Sequence, residues 1–368
     1  MTKTKFLALL MAVMMILSSF AGCEATKTDE EASSGTDIVA DENKTTDANV
    51  TINQGEEKPA DKNNQSADQS AKTEINLALL KGPTGMGGAY MWTKADNGET
   101  RNKYNITLAT DASTVGPNLM KGEFDIAAIP TNAAANLYQK SQGKVKVIAV
   151  NTLGVLYIVT KDNAVSTVAD LKGKTILASG KGTIAEYALN YVLESNNLEI
   201  GKDVTIEFAT EHSESVTKAI AGGYDVVLLP EPFVSQITTK DTSFSVAINI
   251  TEEWEKTGDC TLAMGCIAVN AKFYEENKDA VSKFLEDYSE SVDYVNTNIE
   301  DAAKLIEEHD IMPAAVAKKA IPNANIVCYT GEQMKTTLSS CYNVLFNQNA
   351  SIIGGSLPGD DFYVDTNS

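Results

Sequence analysis

A short pattern occurs twice in this chain, at residues 122–130 and at residues 222–230. Each copy consists of Gly, one variable residue, an aromatic residue, Asp, four aliphatic residues and Pro. Four consecutive aliphatic residues closed by Pro predict a short buried strand, since Pro has no N–H with which to extend a sheet. The repetition therefore predicts two similar lobes built by one polypeptide.

Short apolar runs alternate with helical patterns from residue 75 up to about residue 270. Strands of about six residues alternating with helices of about ten are typical of βαβ units. We therefore predict an α/β fold in which each lobe has a mainly parallel sheet flanked by helices. Beyond residue 271 the pattern is mostly helical and begins with one long helix over 271–298.

Charge and composition exclude several functions. The 368 residues include 30 Lys+Arg and 50 Asp+Glu, which gives a net charge of −20. Such acidity argues against binding to nucleic acid and against electrostatic docking on anionic lipid, because both need a basic face. The chain has two His and no Cys-x-x-Cys spacing, so no metal, cofactor or catalytic triad is expected. A buried guanidinium clamp has one possible source, Arg101.

The N-terminus has the layout of an export signal. Lys3 and Lys5 precede an apolar run at 6–16, which is too short to span a bilayer. The sequence Phe-Ala-Gly-Cys that ends at Cys23 is similar to a bacterial lipobox. That resemblance implies a signal peptide over 1–22, cleavage before Cys23 and lipid on its sulfur. The alternative is an ordinary secretory signal followed by an incidental Cys.

Residues 23–73 differ in kind from the rest. They are rich in Thr, Asp, Glu, Asn, Ser and Lys, and they contain no aromatic residue. Such a segment cannot bury enough apolar surface to offset the entropy of the chain. We predict a disordered acidic tether that holds a folded part at the extracytoplasmic face of the cell membrane.

Five stretches carry a family resemblance. They are the Gly-Pro-Thr-Gly-Met-Gly loop within 80–87, the strand and loop at 122–132, Asp-Leu-Lys-Gly-Lys within 168–176, Gly-Lys-Gly-Thr at 180–183, and the Asp-to-Glu-Pro segment within 223–233. With them, the chain from about 75 to 364 resembles the periplasmic-binding-protein type II fold. Within that fold it is similar to the nitrate, sulfonate, taurine and thiamine-precursor group of ABC-importer substrate-binding proteins.

The resemblance implies two lobes joined by a two-strand hinge, with a ligand in the cleft between them. Lobe 1 would comprise 74–157 and 268–368, and lobe 2 would comprise 158–267. The implied function is capture of a small organic molecule and its delivery to the ABC permease and ATPase subunits. The protein would act as a monomer, without catalytic residues.

The first candidate ligand loop follows the first predicted strand. Its glycines and the helix start after it would let backbone N–H groups approach a ligand. Thr84, Gly85 and Met86 are the candidates there, with Tyr90 one helical turn further on. A tight turn without a ligand, and a core position for Tyr90, are the alternatives. The loop lacks the third Gly of a dinucleotide-binding motif.

Thr131 and Asn132 follow the Pro that ends the first copy of the repeated pattern. Ligands of open α/β sheets lie beyond the carboxyl ends of strands, so both residues are candidates for the site. Either one is also suited to cap the next helix, and the two roles are compatible. Near the first expected crossing, Gly154 and Tyr157 are further candidates.

Gly182 and Thr183 start a second helix that would face the first across the cleft. Two opposed helix N-termini favour a ligand with negative charge, such as a sulfonate. Neither Gly-Lys pair in this region completes a P-loop. Lys181 would add a positive charge, or would simply be solvated.

Glu231 and Phe233 follow the second copy of the repeated pattern. Glu231 would accept a hydrogen bond from an amine or a ring N–H, and Phe233 would stack on a ring. The alternative is that Glu231 braces the hinge or pairs with a Lys. Glu231 and the scarcity of Arg favour a neutral or amine-bearing ring, such as a pyrimidine, over an anion.

Other functions and residues stay open. A receptor for a membrane kinase or chemoreceptor would have the same fold, and so would a thiamine-pyrimidine synthase, although that enzyme's Cys-rich iron motif is absent. Four cysteines at 260, 266, 328 and 341 allow disulfides between sequence neighbours. We expect His212 and His309 at the surface.

Overall fold

The protein is described by a computed structural model of residues 72–258 and 260–365. The expected signal peptide, Cys23 and nearly all of the expected tether lie outside the described residues. No helix within the described ranges combines the length and the apolar character needed to cross a membrane.

The first sheet has six strands in the order β11-β4-β10-β3-β1-β2. Its strands are β1 (Glu74–Leu80), β2 (Lys103–Ala109), β3 (Ile126–Pro130), β4 (Val145–Leu153), β10 (Ala263–Asn270) and β11 (Ile326–Tyr329). β1 pairs in parallel with β2 and β3, while β10 runs antiparallel to both β3 and β4. β11 is antiparallel to β4 at the sheet edge.

The second sheet has five strands in the order β7-β6-β8-β5-β9. Its strands are β5 (Leu156–Lys161), β6 (Thr175–Ser179), β7 (Thr205–Ala209), β8 (Val226–Pro230) and β9 (Phe244–Asn249). β6 pairs in parallel with β7 and β8, whereas β5 runs antiparallel to β8 and β9. Both sheets are therefore mixed, with a parallel half and an antiparallel half.

The repeated sequence pattern forms β3 and β8, which occupy matching places in the two sheets. Each has a parallel neighbour on one side and an antiparallel neighbour on the other. The four aliphatic residues of each strand are buried, and the closing Pro is half-buried. The predicted pair of similar lobes is confirmed.

Thirteen α-helices within the described residues surround the sheets. They are α1 (Pro83–Met86), α2 (Ala89–Asp96), α3 (Ala112–Lys121), α4 (Thr131–Ser141), α5 (Ile184–Ser195), α6 (His212–Ile220), α7 (Phe233–Lys240), α8 (Ile250–Lys256), α9 (Ala271–Glu276), α10 (Lys278–Thr297), α11 (Ile299–Glu308), α12 (Ala314–Ala320) and α13 (Gly331–Asn349). Short 3-10 turns lie at Val168–Leu171, Ile321–Asn323, Ala350–Ile353 and Asp360–Phe362.

The prediction of one long helix over 271–298 is wrong in one respect. It is broken into α9 and α10 at Asn277, whose φ of −138° and ψ of 44° are not helical. Nor did the sequence pattern predict α7, because Val234, Ile237 and the Thr residues that follow are β-branched and favour strands over helices.

The chain passes from the first sheet to the second between Leu153 and Leu156, and it returns after Asn249 by way of α8. Gly154 lies in the first connection, against α8. A Cβ at Gly154 would come within 2.0 Å of Thr251 Oγ1, so this close approach requires glycine. The two connections thus pack on one another.

Side-chain hydrogen bonds also join the two lobes. α12 contacts α7, and α13 contacts α5. The bonds run from Lys319 Nζ to Thr239 Oγ1 (2.8 Å), from Gln348 Nε2 to Glu194 Oε2 (2.8 Å), from Asn349 Nδ2 to Tyr187 OH (2.6 Å) and from Tyr157 OH to the Asn323 carbonyl (3.0 Å).

Neither disulfide suggested by sequence proximity forms, because Cys266, Cys328 and Cys341 are all thiols. Burial raises the pKa of each of these thiols, to about 12 for Cys328 and Cys341. They are therefore protonated and pack as small apolar side chains. Across 72–258 and 260–365, no cluster of His, Cys, Asp and Glu is placed to hold a metal ion.

Candidate functional site

A cavity of about 890 Å³ lies between the two lobes. The lining residues around the six-stranded sheet, called lobe 1 below, are Lys81, Gly82, Pro83, Thr84, Ala112, Pro130, Asn132, Ala133, Thr152, Met264, Glu307, Asp310, Ile311, Met312 and Pro313. Those around the five-stranded sheet, called lobe 2, are Leu156, Thr183, Ile184, Ala185, His212, Pro230, Glu231, Pro232, Phe233 and Gln236, and Val155 lies in the connection. The bounds predicted from the sequence place Leu156 in lobe 1 and Met264 in lobe 2, but these residues belong to β5 and β10. The volume suits a small organic molecule.

The cavity lies where strands end and helices begin. The first turns of α3, α4, α5, α6 and α7 all contribute lining residues. Pro130 and Pro230, which close the two repeated strands, are both in the lining. This is the expected position for a ligand in α/β sheets, beyond the carboxyl ends of the strands.

Five of the residues singled out in the sequence line this cavity. They are Thr84, Asn132, Thr183, Glu231 and Phe233. They come from four separate loops in two lobes, so the fold brings together side chains that are distant in sequence.

The first candidate loop contributes less than its sequence suggested. Gly85 is buried, and a Cβ there would come within 2.1 Å of the Leu80 carbonyl oxygen, so its role is close packing. Met86 is fully buried in the lobe 1 core. Tyr90 stacks on Tyr294 with ring centroids 3.9 Å apart. None of the three lies in the cavity lining.

Thr131 and Gly182 also lie outside the lining, and their polar groups are bonded within the protein. The buried Thr131 hydroxyl donates to the Ala263 carbonyl over 2.8 Å. The backbone N–H of Gly182 donates to Glu186 Oε2 over 2.5 Å. Both groups therefore hold helix starts in place.

Gly154 and Tyr157 flank the first connection but do not line the cavity. Gly154 lies against α8, and its carbonyl accepts from Asn325 Nδ2 over 2.6 Å. Tyr157 uses its hydroxyl to bond Asn323, which belongs to the other lobe. The geometry gives both residues a part in joining the lobes.

Glu231 is the most buried charged group of the cavity, with 2% exposure. Its Oε2 accepts from the Ser235 backbone N–H and its Oε1 from the Ser235 hydroxyl, each over 3.1 Å. The carboxylate therefore braces the first turn of α7, whereas the sequence interpretation placed such bracing at the hinge. Burial raises the pKa of Glu231, and the donors from Ser235 and Asn323 oppose that rise.

His212 was expected at the surface, but the structure places it in the cavity wall. Its ring lies 5.1 Å from that of Phe233, and its Nδ1 is hydrogen bonded to Ser179 Oγ. Burial lowers the pKa of His212, so the imidazole is neutral at physiological pH. As the first residue of α6, His212 follows the same helix-start pattern as the residues that were identified.

Charged groups at the cavity rim are mostly acidic. Glu307 and Asp310 are exposed lining residues, and Lys81 is the cation of the lining. Arg101, the only arginine of the chain, lies elsewhere and pairs with Asp287 (2.7 Å) and Glu290 (2.5 Å) of α10. No guanidinium is therefore present in the cavity to clamp an oxyanion.

Two sheets flanked by helices, with a cavity between two lobes, define a two-lobed periplasmic binding protein. The family model described as "ABC transporter, phosphonate, periplasmic substrate-binding protein" matches residues 97–319. This is more than half of the chain, and the chain belongs to that family. No protein among curated sequences matches it significantly.

Solved structures share the fold at low sequence identity. An ABC transporter protein from Parabacteroides distasonis is 22% identical with a TM-score of 0.69, and the alignment covers 80% of this chain and 99% of that one. The aliphatic sulphonate binding protein SsuA from Escherichia coli is 16% identical, with a TM-score of 0.62 over 76% and 89% of the two chains. The nitrate-binding protein NrtA from Synechocystis PCC 6803 is 14% identical, with a TM-score of 0.51 over 72% and 75%.

The protein is therefore the extracytoplasmic substrate-binding component of an ABC transporter. It binds a small ligand and interacts with permease subunits, and it is not an enzyme. This excludes the thiamine-pyrimidine synthase considered from the sequence.

Proposed function

We propose that the cavity binds a small organic molecule with a planar ring and an N–H or ammonium donor, and that the protein delivers this molecule to its permease. The pyrimidine precursors of thiamine are examples of this class. The observation that carries the proposal is the charge of the lining, where three carboxyl groups accompany one ammonium group and no guanidinium.

The net negative charge of the lining disfavours binding of a simple anion. A phosphonate or sulfonate headgroup would lie within the field of Glu231, Glu307 and Asp310, with Lys81 as its counter-charge. Like charges at close range in a partly dehydrated cavity repel strongly, whereas a cationic or N–H group is attracted. The lining therefore favours a donor over a dianion.

The Glu231 carboxylate can accept a hydrogen bond from a ligand in addition to those that it accepts within the protein. A carboxylate offers about four acceptor sites, of which the two hydrogen bonds from Ser235 use one on each oxygen and the Asn323 side chain uses a third. One further bond from an amine or a ring N–H would complete the set. Phe233, two residues after Glu231, supplies an apolar face for a ring.

The cavity also suits a ligand that carries a hydrogen-bond acceptor. Asn132 lies in the first turn of α4 and Thr183 caps α5, so the partial positive charges of two helix N-termini meet the cavity. A carbonyl, hydroxyl or ring nitrogen would match these ends without a full negative charge. The proposed ligand is thus dipolar, with its donor toward Glu231.

A thermal-shift comparison tests the ligand class. We expect 4-amino-5-hydroxymethyl-2-methylpyrimidine to raise the melting temperature, and its analogue without the amino group to raise it much less. A ligand at about 100 times its Kd adds about 2.7 kcal/mol to the free energy of unfolding. Ethylphosphonate and ethanesulfonate are the anionic controls, and a shift with either but not with the aminopyrimidine would contradict the proposal.

We further propose that the protein is a monomeric lipoprotein anchored through Cys23, with residues 24–73 as its tether. The basis is the lipobox-like sequence after an apolar run and the acidic, aromatic-free segment that follows. Membrane fractionation of Cys23→Ser tests the anchor, because this variant should appear in the soluble extracytoplasmic fraction. An unchanged membrane fraction would exclude lipidation at that residue.

We also propose that the lobes move as two bodies about the connection at 154–155 and the return by way of α8. The division follows the two sheets, and the connections pack together at Gly154 and Thr251. Gly154→Ala would force these connections apart and should change the radius of gyration measured by small-angle scattering with and without ligand. Gly223→Ala, at an exposed turn whose φ is not positive, is the control for a general effect of adding a methyl group.

A further inference from the structure

The buried serine behind the cavity wall has a hydroxyl group that the ligand site itself does not use. Ser179 is the last residue of β6 and is 2% exposed. It is absent from the cavity lining, whereas His212, to which it is bonded, is in the lining. Ser179 therefore contacts the site through His212.

α6 is fixed against β6 on the side of the sheet where this contact lies. The hydroxyl of Ser215, one helical turn after His212, donates to the carbonyl of Ala178 over 3.3 Å. Ser215 and Val216 are buried against the sheet. The imidazole is thus placed by packing, and the position of its proton remains to be decided by hydrogen bonding.

The hydrogen bond between Ser179 and His212 shows which ring nitrogen carries the proton. Among the described residues, His212 Nδ1 is the only hydrogen-bond partner of Ser179 Oγ. If Nδ1 carried the ring proton, it would donate to Ser179, and the buried serine proton would have no acceptor. Buried donors without acceptors are strongly disfavoured, so the serine donates and Nδ1 accepts.

We propose that Ser179 is a positioning residue that fixes His212 as the tautomer with its proton on Nε2. Nε2 has no partner in the described part of the chain, and it is the nitrogen that remains for a molecule in the cavity. His212 then donates to the ligand and does not accept from it. This rests on the proposed ligand cavity and refines the ligand class to rings that carry an oxygen or nitrogen acceptor beside the Phe233 face.

Nitrogen-15 NMR of the imidazoles in the ligand-free full chain tests this assignment directly. The chain has two histidines, so His309→Gln leaves a spectrum with His212 alone. We expect a pyridine-type shift for Nδ1 and a pyrrole-type shift for Nε2. The reverse pattern, or equal intermediate shifts at both nitrogens, would overturn the proposal.

Ser179→Ala should abolish the single-tautomer pattern and give intermediate shifts at both nitrogens. Ser215→Ala is the matched control, because it removes a neighbouring buried hydroxyl that bonds a carbonyl and not the imidazole. A single-tautomer spectrum that persists in Ser179→Ala would also overturn the proposal. If Ser179→Ala does not fold, the wild-type spectrum still decides the tautomer. These spectra need no ligand, so their failure is separate from failure of the proposed ligand class.

Discussion

The residues that follow β3 and β8 differ although the strands themselves match. After Pro130 the chain continues with Thr131, and α4 begins at once. After Pro230 it continues with Glu231, and α7 begins two residues later, beyond a cis peptide bond to Pro232. The same strand therefore ends in two different ways at one cavity.

Side-chain chemistry at these two ends differs accordingly. Thr131 turns its hydroxyl toward Ala263 in the core, and the cavity receives Asn132 and Ala133. On the other side the cavity receives a carboxylate and an aromatic ring, since Glu231 and Phe233 both line it. The repeat thus supplies the same strand twice, while the residues just after its Pro give the two sides of the cavity different chemistry.

The largest expected effect falls on ligand affinity in Glu231→Ala. Loss of the buried acceptor should weaken binding of 4-amino-5-hydroxymethyl-2-methylpyrimidine by at least about 30-fold, the usual cost of truncating a buried charged partner. Isothermal titration measures it. Glu276→Ala, which removes an exposed carboxylate of α9 outside the cavity lining, is the control. Equal affinities in wild type and Glu231→Ala would remove this strand end from recognition.

Thr131→Val should act on stability and not on affinity. The buried Ala263 carbonyl would lose its donor, which costs about 1–3 kcal/mol of unfolding free energy. Urea unfolding measures the difference, and Thr131→Ser should restore most of it. A large loss of affinity with unchanged stability would place Thr131 in the ligand site after all.

Phe233→Leu should have a smaller effect on affinity than Glu231→Ala. An aromatic contact adds about 0.5–1.5 kcal/mol beyond simple burial, so affinity should fall roughly threefold to tenfold. Ala133 is the equivalent position after the other strand, and Ala133→Gly serves as the control in the same titration. A loss in Phe233→Leu no larger than in that control would argue against ring stacking.

The smallest expected effect is a pH dependence of the free energy of unfolding that arises from Glu231 and has no counterpart at Thr131. The pKa of Glu231 is raised in the folded protein, so its folded state binds a proton more tightly than its unfolded state. Stability should therefore fall as the pH rises from the ordinary Glu value through the raised one. The difference between wild type and Glu231→Gln in urea unfolding should shrink below that window, while the difference for Thr131→Val should be independent of pH.

The sequence predicted the sheets better than the cavity. Aliphatic runs closed by Pro located β3 and β8 to within a residue or two, since burial and the missing Pro N–H are local properties. The cavity depends on which residues near the helix starts the packed chain leaves facing the space between the lobes, and this is a tertiary property. Thr131 and Gly182 have the right residue types in the right place, yet their polar groups are bonded inside the protein.

His212 is the opposite case, a cavity residue that the sequence did not predict. Nothing in its local sequence separates it from a solvated helix start, because Ser179 and Phe233 reach it only through the packing of the second lobe. A rule that selects every first helical residue after a parallel strand would have found it, at the cost of including Thr131 as well.

If the lobes move as proposed, the hydrogen bonds between them tie ligand affinity to residues outside the cavity lining. If only a fraction of free molecules has the lobes together, the apparent dissociation constant is the intrinsic one divided by that fraction. Bonds such as those of Lys319 and Gln348 raise the fraction without adding any contact in the cavity. Evolution can therefore adjust how much solute the importer gathers by changing surface residues far from the solute, and its selectivity stays the same.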